Sequence, residues 1–418
     1  MKFNKLTSAL MVFAAVGVAA LPVSSAFAAP DAAKIAERKA RKSQAVGEKV
    51  GKAIGKAYEL YGQNKVGEAL ALLEPIEASN TFDKAYLDKF IGQLYIEKNP
   101  AKALDYMIKA VKPDVLGFTD QSTLLRNIGD LSLMAKKYEQ AITYYEKWSD
   151  FTGELDPNVD LRVANAYYEM KQYAKVIAPA DRAIAHSKVP KKEPYQMKFA
   201  SYYELKQTKK AIEVLETMLP LFPDEKQSWV NLGQFYSVDE QYDKALAIID
   251  MAYKQGLLKT ENEIKLLANL YNNNNVPFKA AALLEKHLTA GLLKNDRAIL
   301  MSIASSYSSS REFEKAAKFY GILGAKENDG DAYRRQGNAL LMANKNADAV
   351  TALQKALEVG TKEKGKVHVD LISAYFYQGK MREAYQHVQL ARQNGQEKMA
   401  NSWGPYVKER AEKKGIKL

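Results

Sequence analysis

One spacing recurs along most of the chain and constrains its fold more than any other feature. A small residue, usually alanine, returns ten times at intervals of 33 to 38 residues, and in most cases a large apolar residue follows four positions later. Such a period indicates an array in which each unit buries its apolar face against its neighbours. We call these ten positions the reference residues: Ala69, Ala103, Ala141, Val176, Ala211, Ala245, Ala280, Ala316, Ala349 and Ala384.

Further positions recur at fixed distances before the reference residues. A tyrosine or leucine stands nine residues before most of them, and a glycine stands twelve residues before three of them. A small reference residue lets two helices approach closely, and a glycine facing it removes the side chain that would block the contact. The sixth unit shows the pattern most completely, with Trp229, Leu232, Gly233, Tyr236 and Ala245.

This pattern, W-x2-L-G-x2-Y followed by A-x3-large-x2-A, resembles the tetratricopeptide repeat. The resemblance covers about residues 55–395. It implies an all-α fold, a right-handed α-solenoid of about ten helix-turn-helix units in residues 55–396. We expect residues 397–418 to form a C-terminal capping helical segment that ends the stack.

Three local features refine this expectation. Residues 29–54 are basic and alanine-rich, and we expect them to run as a helix into the first unit. Pro179 lies inside the second helix of the fourth unit and is expected to kink or shorten it. Gly404 and Pro405 are expected to interrupt the C-terminal segment, leaving a short helix, a turn and another helix.

Residues 1–28 have the three parts of a secretory signal peptide. Lys2 and Lys5 precede sixteen uncharged residues, and the A-x-A sequence at residues 26–28 fits a cleavage site. The alternative is an uncleaved membrane anchor, for which the apolar stretch is short. We therefore expect an exported protein that is located in the periplasm after the signal is removed. The chain contains no cysteine, which excludes disulfides and thiolate metal sites.

The net charge of +12 is concentrated near the two ends of the chain. Residues 57–396 carry 45 basic and 43 acidic side chains, which argues against nucleic acid as a partner. Residues 31–56 carry eight basic and three acidic side chains. They predict either a helical cap with solvated lysines or weak electrostatic contact with anionic envelope surfaces.

Residues that could carry chemistry are few. The four histidines, His186, His287, His368 and His387, are at least nineteen residues apart, and no metal-ligand spacing occurs. No phosphate-binding loop, nucleophile elbow or zinc-protease motif is present. We therefore predict a protein that is not an enzyme and has no cofactor, metal site or catalytic residue.

The resemblance to tetratricopeptide repeats implies a ligand-binding surface on the concave face, which the first helix of each unit lines. The ligand-facing positions lie fifteen, fourteen, eleven and eight residues before the reference residue. Asparagines there suit a peptide backbone because they both donate and accept hydrogen bonds. The alternative is a concave face that is merely solvated. The predicted partner-binding residues are Arg126, Asn127, Asp130, Arg162, Asn165, Tyr168, Gln196, Tyr203, Asn231, Gln234, Lys265, Asn269, Arg334, Arg335 and Asn338.

Some members of the repeat family hold a chain-terminal carboxylate in a clamp. Lys265, Asn269 and Arg335 match three clamp positions, whereas Ser302 and Asp331 depart from it. An acid at the last position would repel the ligand, so a complete clamp is not expected.

A narrower resemblance lies at the start of the array. Residues 38–61 (RKARKSQAVGEKVGKAIGKAYELY) and 64–78 (NKVGEALALLEPIEA) are similar to the periplasmic tetratricopeptide proteins that accompany TonB energy-transduction systems of Gram-negative bacteria. This implies a scaffold in iron-complex uptake, with components of the TonB, ExbB and ExbD type as partners. The alternatives are a scaffold for polysaccharide export or peptidoglycan synthesis, and a recognition subunit of a separate enzyme.

Overall fold

A computed structural model of the chain describes residues 31–42 and 44–418. The predicted signal peptide therefore lies outside the described residues. The chain divides into two compact units, the first ending at Val214 and the second beginning at Leu215. Within the described residues the secondary structure is helical throughout, with no strand.

Helices α2 to α21 follow one another as ten helix-turn-helix pairs, and each second helix carries one reference residue. The all-α fold of helical repeats that the sequence period predicts is confirmed. The first unit contains α1 (Ala32–Ala40), α2 (Glu48–Gly62), α3 (Val66–Leu73), α4 (Thr81–Tyr95), α5 (Pro100–Val111), α6 (Phe118–Met134), α7 (Tyr138–Thr152), α8 (Pro157–Glu169), α9 (Tyr173–His186) and α10 (Lys192–Glu204). Helix α11 (Thr208–Leu221) begins in the first unit and ends in the second, which continues with α12 (Lys226–Val238), α13 (Tyr242–Lys254), α14 (Glu261–Asn273), α15 (Pro277–Thr289), α16 (Arg297–Ser309), α17 (Phe313–Glu327), α18 (Gly330–Met342), α19 (Asn346–Val359), α20 (Lys364–Tyr377), α21 (Met381–Gln393) and α22 (Glu397–Lys413).

The reference residues mark the closest packing within the repeats. All ten are 0% exposed. A Cβ placed on Gly233 would lie 2.3 Å from Cγ1 of Ile249, one turn after Ala245. Only glycine allows this approach of α12 to α13. The predicted close contact between the two helices of a unit is therefore present.

The turn inside a repeat depends on one left-handed residue. In nine repeats the residue five positions before the reference residue has a positive φ. Its side chain is often large and charged, as at Lys171 (φ 59°), Glu240 (φ 59°) and Arg311 (φ 61°). Left-handed backbone is costly for such residues, so the packing of the two flanking helices imposes it.

Tyrosines connect successive repeats by a recurring hydrogen bond. The hydroxyl of Tyr307 donates to Oε2 of Glu285 at 2.5 Å, and Nζ of Lys315 lies 5.3 Å from the centre of the same ring. The hydroxyl of Tyr236 makes the same bond to Glu216, and Nζ of Lys244 lies 5.4 Å from the centre of its ring. The tyrosine stands nine residues before its own reference residue, and the acid five residues after the preceding one. These tyrosines therefore have a polar function in addition to filling the groove between repeats.

Neither Pro179 nor Pro405 has the expected effect on helix length. Helix α22 runs through Gly404 and Pro405 without interruption, contrary to the expected turn. Buried Val407 and Ala411 hold the part after Pro405 against the repeat array. Helix α9 likewise keeps fourteen residues although Pro179 lies inside it, so the expected shortening is wrong.

The expected continuous N-terminal helix is also wrong. Helix α1 ends at Ala40, and α2 begins separately at Glu48. Arg38 and Arg41 attach α1 to residues more than 70 positions later in the chain. These contacts give α1 a position that helix propensity alone does not specify. Among the helices described, none is both long and apolar enough to span a bilayer.

Candidate functional site

In the first compact unit, which ends at Val214, four of the predicted partner-binding residues lie together in one groove. Helices α8 and α10, the first helices of adjacent repeats, form a depression of about 540 Å³. Apolar side chains of Leu161, Met197 and Ala200 form part of its wall, and Glu169 and Glu193 also line it. The predicted residues in this groove are Arg162, Asn165, Tyr168 and Gln196.

The two amides in this groove are available to a ligand. Gln196 is exposed and Asn165 half-buried, and neither side chain makes a hydrogen bond within the described part of the chain. Each amide offers a donor and an acceptor, which is what the backbone of an extended peptide requires. Tyr168 is oriented by an edge-on contact with Tyr173, whose ring centre is 5.3 Å away.

Other predicted residues of the first unit hold the repeats together instead. Asp130 pairs with Arg162 of the next repeat and accepts a 2.6 Å hydrogen bond from the hydroxyl of Tyr145. Arg126 forms a 3.0 Å ion pair with Asp156 and lies over the ring of Trp148. The sequence placed these charges on the correct helices but could not show that they have partners within the chain. Asn127 is half-buried, and Tyr203 is 59% exposed.

In the second compact unit, some predicted residues bind other side chains of this chain and others do not. Lys265 pairs with Glu261 one turn earlier, and Asn231 accepts a 2.7 Å hydrogen bond from Gln227. Gln234 and Asn269 are exposed, and their side chains make no hydrogen bond within the described residues. The available groups are thus again neutral amides.

The first helix of the eighth repeat, α16, presents small hydroxyl residues at the ligand-facing positions. Ser302, Ser305 and Ser308 lie fourteen, eleven and eight residues before Ala316. Small side chains there would let a peptide backbone come close to the helix. In the sequence, Ser302 was identified only as a departure from the carboxylate clamp, and this serine row was not predicted.

Next to the ninth repeat, an acid that the sequence analysis missed lies among predicted residues. Oδ2 of Asp370 lies 4.0 Å from Nη1 of Arg334, whose Nη2 pairs with Glu363 at 2.6 Å, and the amide of Asn338 is also close enough to favour the charged carboxylate. Burial raises the pKa of Asp370 to about 6 despite this cation and amide. Its position, fourteen residues before Ala384, was a signal that could have identified it. Arg335 is exposed at the adjacent position.

Two exposed tyrosines in the first repeat were also missed. Tyr58 and Tyr61 are 66% and 54% exposed on α2, at the ligand-facing positions eleven and eight before Ala69. The ring of Tyr58 lies 6.4 Å from that of Phe90 on the next first helix. The first helices of the earliest repeats therefore present an aromatic surface.

The histidines are closer together than their separation in the sequence indicated. Nδ1 of His368 and Nδ1 of His387 are 3.1 Å apart, and the ring of Tyr375 stacks on His387. Helices α20 and α21 form one hairpin, which brings residues nineteen positions apart into contact. Their separation along the chain gave no indication of this contact. Among the described residues no group of three or more histidine, aspartate or glutamate side chains could hold a metal ion.

Comparisons with known proteins identify repeat proteins of similar construction. No family model matches the chain, and no curated protein matches it in sequence. A solved tetratricopeptide repeat protein from Parabacteroides merdae is 14% identical, with a TM-score of 0.34 over 62% of this chain and 99% of that one. MamA from Desulfovibrio magneticus is 19% identical, with a TM-score of 0.33 over 42% and 96%.

A third solved structure is YrrB, described as a tetratricopeptide repeat protein with an unusual peptide-binding site. It is 16% identical, with a TM-score of 0.35 over 46% of this chain and 94% of that one. At these values the similarity bears on neither the ligand nor the partner of this chain. The fold assignment rests on the helical hairpins themselves.

Proposed function

We propose that the chain is a non-enzymatic scaffold of the tetratricopeptide type, which binds an extended segment of a protein partner on its first helices. The groove between α8 and α10 carries this proposal. There Asn165 and Gln196 offer unsatisfied amides beside the apolar side chains of Leu161 and Met197. This combination fits a peptide whose backbone hydrogen-bonds the amides and whose apolar side chains contact the wall.

The distribution of charge argues for recognition by shape and by the peptide backbone. Arg162, Lys265 and Arg334 each pair with an acid of this chain. In each of these pairs the acid of this chain competes with a ligand for the cation. Arg335 is exposed and is the predicted cation best placed to contact an acidic side chain of the partner.

We place this scaffold in the periplasm. The support is the sequence of residues 1–28, which has the charged start, apolar centre and small-residue cleavage site of a secretory signal. The similarity of residues 38–61 and 64–78 to TonB-associated tetratricopeptide proteins supports an accessory role in uptake of iron complexes. The proposed partners are then components of the TonB, ExbB and ExbD type.

Co-purification from envelope fractions tests this proposal. The tagged chain is compared with a variant that combines Asn165→Ala, Gln196→Ala and Asn269→Ala. Gln386→Ala is a control, because Gln386 is also exposed but stands on a second helix, α21.

We expect the triple variant to keep its helical circular dichroism and lose most of the captured partner, and the control to retain it. Undiminished capture by the triple variant would exclude this face as the binding site. Recovery of polysaccharide-export or peptidoglycan-synthesis proteins without transport components would assign the chain to envelope biogenesis instead.

A further inference from the structure

Helix α1 binds the third repeat of its own unit in the manner of a peptide ligand. Nη1 of Arg38 donates to the backbone carbonyl of Asp150 at 2.6 Å, and its Nη2 to Oδ2 of the same residue at 3.2 Å. Nη1 of Arg41 donates to the carbonyl and to Oδ1 of Asp114, both at 2.9 Å. Two arginines three positions apart thus each engage an aspartate and its own backbone.

A cation–π contact and an apolar contact accompany these ion pairs. The guanidinium carbon of Arg38 lies 5.1 Å from the ring centre of Phe151. Ile35 packs over Gly153, where an added Cβ would lie 2.5 Å from its Cδ1. No residue of α1 is buried, so the helix lies on the surface and its removal would uncover little core.

The surface that α1 contacts continues as a groove of about 1300 Å³, formed largely by the second helices α5, α7 and α9. We name it the second-helix groove, and Arg38 lies at its edge. The repeats contribute seven carboxylates to its lining, against Lys112, Lys147 and Arg182. The groove is therefore acidic before α1 adds its own cation.

Two of these carboxylates form no ion pair in the part of the chain that the structure describes. Within the described residues, neither Glu146 nor Glu154 has a basic side chain at ion-pair distance, although Glu146 is half-buried. Burial raises the pKa of Glu146, although the nearby cation Arg182 acts in the opposite direction. Next to them Leu155 is 62% exposed, and Trp148 also lines the groove.

We propose that the second-helix groove is a separate docking surface for an arginine-bearing amphipathic helix of a partner protein, and that α1 is a weak intramolecular competitor for it. The acidic lining matches a basic ligand and disfavours an anionic one. Ile35 and Arg38 on α1, with Arg41 directly after the helix, show the spacing of one apolar and two cationic residues that the surface accepts. This inference is independent of the face proposed for the extended peptide.

The test uses a fluorescein-labelled synthetic peptide with the sequence of residues 31–42 as the probe and the full mature chain as the receptor. Arg38→Gln with Arg41→Gln weakens α1 as a competitor. Lys34→Gln with Lys42→Gln removes the same charge without touching Asp114 or Asp150 and is the matched control. Fluorescence anisotropy at fixed salt measures the affinity, and a scrambled peptide of identical composition measures non-specific attraction.

We expect the Arg38→Gln and Arg41→Gln chain to bind the probe at least tenfold more tightly than the intact chain, and the control chain to bind like the intact one. We call the Arg38→Gln and Arg41→Gln variant the released chain. Adding Asp114→Asn and Asp150→Asn to it should abolish this gain. A peptide that repeats the segment in tandem should bind the released chain more tightly than the single copy, and Glu146→Gln with Glu154→Gln should remove that advantage.

Equal binding by the released and intact chains would overturn the proposal, as would equal binding of the scrambled peptide. Light scattering of the same samples measures whether the chain forms a dimer, in which a second copy would occupy the groove. A dimer that forms only when α1 is intact would assign the groove to the α1 of a second copy of this chain and would also contradict the proposal. Circular dichroism confirms that each variant is folded.

Discussion

The hydroxyl of Tyr271 donates to Oδ1 of Asp250 at 2.5 Å, across the boundary between the sixth and seventh repeats. Nζ of Lys279 lies 5.6 Å from the ring centre of the same tyrosine. Burial and this hydrogen bond raise the pKa of Tyr271, so the hydroxyl stays protonated as a donor. The bond joins adjacent repeats and should contribute to the coupling between them.

Tyr271→Phe removes this hydrogen bond while keeping the ring. We expect the free energy of unfolding to fall by about 1–2 kcal/mol, because the acceptor is a charged carboxylate at a partly buried boundary. Urea unfolding followed by circular dichroism measures the change. Tyr242→Phe is the matched control, since Tyr242 is 41% exposed and its hydroxyl makes no hydrogen bond in the described structure. Equal losses in both variants would contradict the assigned role.

Ala245→Leu adds three carbon atoms at a 0% exposed position between α12 and α13. Overpacking of this kind destabilises by about 1–3 kcal/mol, and we expect a lower thermal midpoint. Ala247→Leu, on the exposed side of the same helix, should change the midpoint little. A similar midpoint for both variants would show that the reference position is not a close contact.

Glu240→Gly replaces a charged residue at φ 59° by one that tolerates this backbone without strain. We expect a gain of about 1 kcal/mol in the free energy of unfolding. Asn344→Gly, at φ 58°, should gain less because asparagine already tolerates the left-handed region. Destabilisation by Glu240→Gly would mean that the glutamate side chain is needed at the turn.

The ionisation of Asp370 should make the free energy of unfolding depend on pH. Its folded pKa is about 6 against an ordinary 3.8, so the folded chain holds its proton more tightly than the unfolded chain does. The stability from this group is complete below pH 3.8 and is lost as the pH rises through 6.

Asp370→Asn should therefore raise the thermal midpoint at pH 8 and have little effect at pH 4. The gain at pH 8 is at most about 3 kcal/mol. Arg334 keeps Glu363 as a partner in this variant. A gain of the same size at both pH values would contradict the raised pKa.

The sequence predicted the repeat core because that core depends on side-chain size at regular positions. Ala245 and Gly233 are recognisable from spacing alone, and the structure places both at a tight helix contact. The left-handed turns were not predictable in the same way. Residues such as Lys171 and Arg311 carry no intrinsic preference for positive φ, and the two packed helices impose it.

Contacts that are distant in the chain were also beyond the sequence analysis. Nothing near Arg38 indicates Asp150 as its partner, since the two are 112 positions apart. The candidate site was predicted as a set of positions, because the repeat period assigns residues to the first helices. Which of them are available depends on partners such as Asp130 for Arg162, which only the folded chain shows.

The most direct test of the binding face is photo-crosslinking in intact cells of the source organism. A crosslinking amino acid is placed at Asn269 on the first helix α14 or, as a control, at Met251 on the second helix α13, and both positions are exposed. We predict a specific crosslinked partner in the envelope fraction from position 269 and none from position 251. Crosslinks of equal yield from both positions, or none from position 269, would contradict a partner segment lying along the first helices.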